Sequence, residues 1–221
     1  RDLHSFPTRR SSDLRYKDAE KSLKQALEMT RRLRGDEHPD VAESLNNLAV
    51  LYESMGKYQQ AESLYNQALA MYRRFLGNEH PSVATSLNNL AALYESMGKY
   101  EQVESLYNQA LEMRRRLLGN EHPDVAESLN NLAVLHHSQG NIELALKFLE
   151  EGLDIQELNL ERNLVSGAEK QKRDYMQTIF ETRDEAISLH LNSAPDHERA
   201  AGLALTTILR RKGRLLDFLT H

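Results

Sequence analysis

Apolar residues in this chain recur at helical spacing, and the pattern itself then recurs at a longer fixed distance. Val41, Leu45, Leu48, Ala49 and Tyr52 follow an i, i+4, i+7, i+8, i+11 series, which is one face of a helix. Pro39 suits the first turn of that helix, where a missing N–H costs nothing. Asp40 beside it sits well at the positive end of the helix dipole, and Gly56 predicts the end. A second stripe, Tyr58, Ala61, Leu64, Tyr65, Ala68 and Leu69, predicts another helix closed by Gly77. Arg73 and Arg74 near its end complement the negative pole. Ala61 and Ala68 are small enough to let the two helices approach closely. The unit is a helix–turn–helix.

Residues 35–76, GDEHPDVAESLNNLAVLYESMGKYQQAESLYNQALAMYRRFL, return with few changes as 77–118, an offset of 42. A third copy opens GNEHPDVAESLNNLAVLHHSQGN and diverges after Gly140. Counting back by 42 puts Tyr16 and Ala19 in the places of Tyr58 and Ala61. Residues 15–34 therefore read as a partial repeat, its second helix only, followed by three repeats at 35–76, 77–118 and 119–160. One hairpin cannot bury its apolar face alone, so neighbouring hairpins are expected to stack.

Composition narrows the function classes. The 221 residues contain no Cys and no Trp, which removes disulfides, thiolate metal sites and cysteine nucleophiles. Apolar content carried by Leu, Ala and Tyr favours helices over strands. No apolar run approaches the roughly 18 residues of a membrane span, and the start does not read as a signal peptide; a cytoplasmic protein is expected. Residues 35–164 carry 9 Lys and Arg against 20 Asp and Glu, a net charge of −11. Such an array repels phosphates, so neither nucleic acid nor an anionic membrane is an expected partner.

The spacing of Leu45, Leu48-Ala49, Tyr52, Gly56, Tyr58, Ala61, Tyr65 and Ala68 resembles the tetratricopeptide repeat, which normally spans about 34 residues. The longer copies with LNNLAxLY, GKYxxAE and GxxHP look like the kinesin-light-chain subclass over roughly residues 15–160. The resemblance implies an all-α fold, a right-handed superhelix (α-solenoid), with first helices lining a concave groove. Groove positions carried over by register are Glu43, Asn46, Val50 and Glu53, then Thr85, Asn88, Ala92 and Glu95, then Glu127, Asn130, Val134 and His137. A row of amides at Asn46, Asn88 and Asn130 is expected to pair with a peptide backbone as donor and acceptor; the alternative is that it caps turns or bonds between repeats. For Asn47, Asn89 and Asn131 the structural role is the expected one. Kinesin light chains are understood to take acidic cargo on a basic groove, a specificity that the acidic array here does not share. A neutral or basic peptide is expected instead, with Glu53 and Glu95 as its partners or, alternatively, as solubilising charge.

Signals of chemistry are few. His38, His80 and His122 share one loop position but lie on different repeats, without metal-ligand spacing. His136 takes the place of the packing residue Tyr94, beside His137. Tyr52, Tyr58 and Tyr65 have core spacing. No phosphate loop or nucleophile elbow occurs. No enzyme activity, cofactor or metal is expected.

The ends differ from the array. HSFPTRRSSDL, residues 4–14, occupies a first-helix slot without its chemistry and looks like a translated sequencing adapter, so residues 1–14 are read as an adapter or cloning scar. Residues 161–221 read as a helical connector, with a capping box at Ser166-Gly-Ala-Glu169. Apolar residues then run through Tyr175, Ile179, Ala186, Ile187 and Leu191, with a break at Asn192–Pro195. A last helix is expected through Ala200, Leu203, Leu205, Ile208 and Leu209, stopping near Gly213, where the basic run Arg210-Arg211-Lys212 suits a helix end. ISLHL followed by ALTTILRRKGRLLD resembles the connector ahead of a caspase-like CHAT domain in bacterial repeat proteins. By that resemblance the chain is a fragment: a non-catalytic interaction scaffold, binding a peptide or partner domain and regulating an effector encoded elsewhere in the polypeptide. The alternative is a kinesin-light-chain-like cargo adaptor.

Overall fold

The computed structural model describes residues 9–166, 187, 189 and 194–220, and every regular element among them is a helix. They are α1 (Arg9–Arg34), α2 (Pro39–Ser54), α3 (Tyr58–Leu76), α4 (Pro81–Ser96), α5 (Tyr100–Leu118), α6 (Pro123–Ser138), α7 (Ile142–Ser166) and α8 (Glu198–Thr220). Two compact units divide the chain, Arg1–Leu117 and Leu118–His221.

Each first helix starts and stops by the same local chemistry. His38, His80 and His122 hold extended backbone just ahead of α2, α4 and α6. Their Nδ1 atoms accept the N–H of Asp40, Ser82 and Asp124, each at 3.1 Å. The recurring histidine is thus an N-cap, satisfying a donor that the helix leaves open. At the other end Lys57 N–H donates to the Tyr52 carbonyl at 2.8 Å and Gly56 N–H to that of Glu53 at 2.8 Å. This Schellman closure needs a left-handed residue, and Gly56 has φ +70°. Gly98 and Gly140 close α4 and α6 with the same pair of bonds.

In the first unit α2 packs on α3 through Val41, Leu45, Ala49 and Tyr52 on one side and Ala61, Tyr65, Ala68 and Leu69 on the other, all buried. Ala61 and Ala68 are fully enclosed, as the close approach of the two helices requires. Ion pairs repeat with the sequence: Arg74 grips Glu37 at 2.6 Å and Arg116 grips Glu79 at 3.0 Å. Lys57 reaches back to Glu20 at 3.3 Å and Lys99 to Glu62 at 3.1 Å. These last two pairs join neighbouring repeats.

In the second unit α6 packs on α7, and Gly152 stands in the register of Ala68. A Cβ on Gly152 would lie 2.8 Å from Asn130 Oδ1, so the amide fills space that a methyl takes in the earlier copies. His136 is buried and stacks on Phe148, ring centroids 5.4 Å apart. Leu158 replaces the arginine of earlier repeats, and Arg162, one turn on, holds Glu121 at 2.6 Å instead. Leu189, Ala194 and Ala200 join the core of Ala145, Leu146 and Leu149. Arg199 ties α8 to Glu143 and Glu150 of α7.

Boundaries differ from expectation in three places. α1 begins at Arg9, inside the segment read as a scar, while residues 1–8 lie outside the described residues. α7 continues past position 160 to Ser166. α8 does not stop near Gly213 but runs to Thr220. One glycine costs a helix only about 1 kcal/mol, and Leu215, Leu216 and Phe218 beyond it continue the apolar pattern. Glu169, Tyr175, Ile179, Ala186 and Leu191 of the connector reading lie outside the described residues, whereas Ile187 and Leu189 are helical.

Candidate functional site

The twelve positions carried over by register form four rows, and their environments are unequal. Glu43, Thr85 and Glu127 are all exposed. Val50 is 44% exposed, whereas Ala92 and Val134 are half-buried. Asn46 and Asn130 are half-buried, and Asn88 is only 5% exposed. Glu53, Glu95 and His137 are half-buried. The first eight positions lie on α2 and α4 of one unit, the last four on α6 of the other.

Internal bonds occupy several of these side chains. Asn89 Nδ2 donates to Asn46 Oδ1 at 3.3 Å, a link between repeats. Asn88 falls among the packed residues of α4, and Asn130 abuts Gly152. The Tyr65 hydroxyl donates to Glu53 Oε2 at 2.9 Å, and the Tyr107 hydroxyl donates to Glu95 Oε2 at 3.2 Å. Burial raises both carboxyls above their ordinary value, the tyrosine hydrogen bonds offsetting part of the effect. Burial, together with the Glu53 carboxylate, also raises the Tyr65 hydroxyl, which keeps it protonated and donating. These glutamates are structural partners of a tyrosine.

Three of the expected residues do come together. Glu43, Asn46 and Thr85 line a cleft of about 580 Å³ bounded by α2, the end of α3 and the start of α4. Sequence reasoning missed Asp40, Tyr72, His80 and Ser86, which also line it. The available signal was register: Tyr72 takes the place of Thr30 and Arg114, a position that varies while its neighbours hardly change. The Tyr72 hydroxyl is pushed up to about 12, first by burial and then by the charges of Glu43 and Asp40. Ser86 is 1% exposed and its Oγ has no hydrogen-bond partner.

Among the described residues no group of three or more His, Asp and Glu side chains is placed to hold a metal ion. No described helix is long and apolar enough to cross a membrane. The surface offers hydrogen bonds, carboxylates and shallow apolar area.

Capped helical hairpins repeated at one register, with a polar first-helix face, define an α-solenoid interaction scaffold. The tetratricopeptide repeat family matches residues 13–74, 56–116 and 82–157, and the chain belongs to that family. It is a family of non-catalytic scaffolds whose repeats bind protein partners. The crystal structure of BtubC (BKLC) from P. vanneervenii is similar, with TM-score 0.67 and 26% identity over 93% of this chain and 76% of that one. A Podosopora anserina protein described as a kinesin light chain with nearly identical TPR-like repeats is similar in two crystal structures. Each gives TM-score 0.62 and 21% identity over 92% of this chain and 90% of that one, a likeness of fold alone. No curated protein matches the chain in sequence.

Proposed function

We propose that the first-helix face of the repeats binds an extended polypeptide segment of a partner protein. The observation that carries this reading is the pair Glu43 and Thr85 on α2 and α4 of the first unit. That register position is exposed in both copies, while Asn46, Glu53 and Glu95 near it hold internal bonds. The acidic array favours a neutral or basic segment over nucleic acid. Work in the cytoplasm, without catalysis of its own, is the setting this function fits. The resemblance of the connector to those preceding caspase-like CHAT domains supports a regulatory role toward such an effector, and that support is from sequence. A cargo-adaptor role is the second reading, favoured by the kinesin-light-chain-like structural neighbours.

The test places a photo-crosslinking side chain at Thr85 or Glu127 of the full chain, and separately at Gln67 or Gln109, which are exposed on second helices. With lysate as the source of partner, a discrete crosslinked polypeptide is expected from the first pair and none from the second. Crosslinks from Gln67 and Gln109 alone, or from no position, would overturn the reading.

A further inference from the structure

We propose that the cleft between α2, the end of α3 and the start of α4 is a subsite for one cationic side chain, an arginine in preference to a lysine, of a bound polypeptide. The inference rests on the first-helix face being a peptide-binding surface and adds the chemistry of one position on it.

Charge within the cleft is one-sided. Glu43 is exposed on its wall and forms no ion pair among the described residues, while Asp40 pairs with Arg34 at 3.4 Å. The opposite wall, one repeat on, has Ser82 and Thr85 in the register of Asp40 and Glu43. It offers hydroxyls and brings no cation of its own. Tyr72 joins the cleft from a third element, its hydroxyl raised first by burial and only then by the charges of Glu43 and Asp40.

An anion is excluded on two grounds. The carboxylates repel it, and the start of α4, which would otherwise attract it, has no free backbone N–H. Pro81 has no N–H, Ser82 N–H is held by His80 Nδ1 at 3.1 Å, and those of Val83 and Ala84 go to the His80 carbonyl at 2.9 and 3.2 Å.

Ser86 supplies an independent pointer. The residue lines the cleft, and its Oγ is a buried hydroxyl with no partner, an arrangement that native structures rarely leave without a reason. Register does not impose it: the corresponding Ser44 Oγ donates to the Asp40 carbonyl at 3.0 Å. A group that donates hydrogen bonds completes Ser86. A guanidinium presents five donors in a plane, enough to reach a carboxylate and a hydroxyl together, whereas an ammonium is a point charge. Its methylene stem would lie along Leu76 and the Tyr72 ring.

The test titrates the full chain, labelled for amide NMR, with the blocked tripeptide acetyl-Gly-Arg-Gly-amide and its Lys, norleucine and Glu counterparts. In parallel, the full chain selects from a random dodecapeptide display library. Saturable shifts around Glu43, Tyr72 and Ser86 are expected with the Arg peptide, weaker ones with Lys, and none with norleucine or Glu. Glu43→Gln, at an exposed position that leaves the fold intact, should weaken the Arg peptide at least fivefold. Ser86→Ala should weaken it at least twofold while melting no lower than the parent. Selected dodecapeptides should be enriched in Arg. Equal affinity of both variants for the Arg peptide overturns the cationic subsite. If dodecapeptides still bind without Arg enrichment, the peptide-binding surface survives that loss. If no peptide of any composition binds, both readings fall together.

Discussion

Glu20 shows how much a single side chain can join here. Its carboxylate accepts from Lys24 Nζ at 2.7 Å, from the Tyr52 hydroxyl at 3.1 Å and from Lys57 Nζ at 3.3 Å. It thereby ties α1 to α2 and to the turn that follows. The Lys24 hydrogen bond, opposed by burial and reinforced by the bonds of Lys57 and Tyr52, holds its carboxyl down from 4.5 to about 2. A depressed acid stabilises the folded state above its unfolded value and loses that contribution as pH falls toward the folded one. The chain should therefore lose stability between pH 4.5 and about 2, and Glu20→Gln should flatten that limb of the melting-temperature profile. An unchanged acid limb in the variant would place the cluster outside the folding equilibrium. Glu53 works with the opposite sign: its raised carboxyl favours the folded state at low pH and loses that contribution as pH rises through its folded value. Neither bond was readable in the sequence, because Tyr65 lies 12 residues from Glu53 and Tyr52 lies 32 from Glu20.

Element by element, the hairpin is governed by the size of a few residues at the helix crossing. Ala68 and Ala110 are fully buried there, and the third copy has Gly152. Ala68→Leu should overpack the crossing of α2 and α3 and cost about 1–3 kcal/mol, measured by urea denaturation. Parent-like stability would mean that this face is not closely packed. The hairpins were legible in advance because their signals are local. A helical stripe and a glycine at the end, with a proline in the first turn of α2 and α4, specify each helix within its own 16 to 19 residues. The cap itself was legible only in part. The histidine recurred visibly, but its imidazole acting as acceptor for the N–H two residues on is a matter of backbone geometry. Gly213 failed as a stop signal for a related reason: a glycine ends a helix only where the chain turns left-handed, and in α8 the pattern beyond it continues.

For the molecule as a whole, stacked repeats make stability close to a sum of local and nearest-neighbour contributions. A core truncation should therefore act near its own position. Leu146→Ala, at a fully buried site in the second unit, should cost about 2–5 kcal/mol in amide-exchange protection of α6 and α7 and leave that of α2 and α3 unchanged. Uniform loss across the chain would show one cooperative block instead. Function follows the same division. Family membership was visible in the 42-residue period, since many fixed offsets recur together. The candidate site was visible only as a register, and the register mixed three kinds of position: exposed Glu43, Thr85 and Glu127, packed Asn88, and the tyrosine-bound glutamates Glu53 and Glu95.

By itself, then, the amino-acid order determined the helices, their ends and their pairing into repeated hairpins, because each depends on residues a few positions apart. Tertiary structure alone decided which polar side chains remain for a partner. That choice depends on neighbours far along the chain, as when Asn89 takes up Asn46, 43 residues away. It also assembled the acidic cleft from α2, α3 and α4. A helical stripe states which way a side chain leaves its own helix, and only the adjoining helices determine what meets it there.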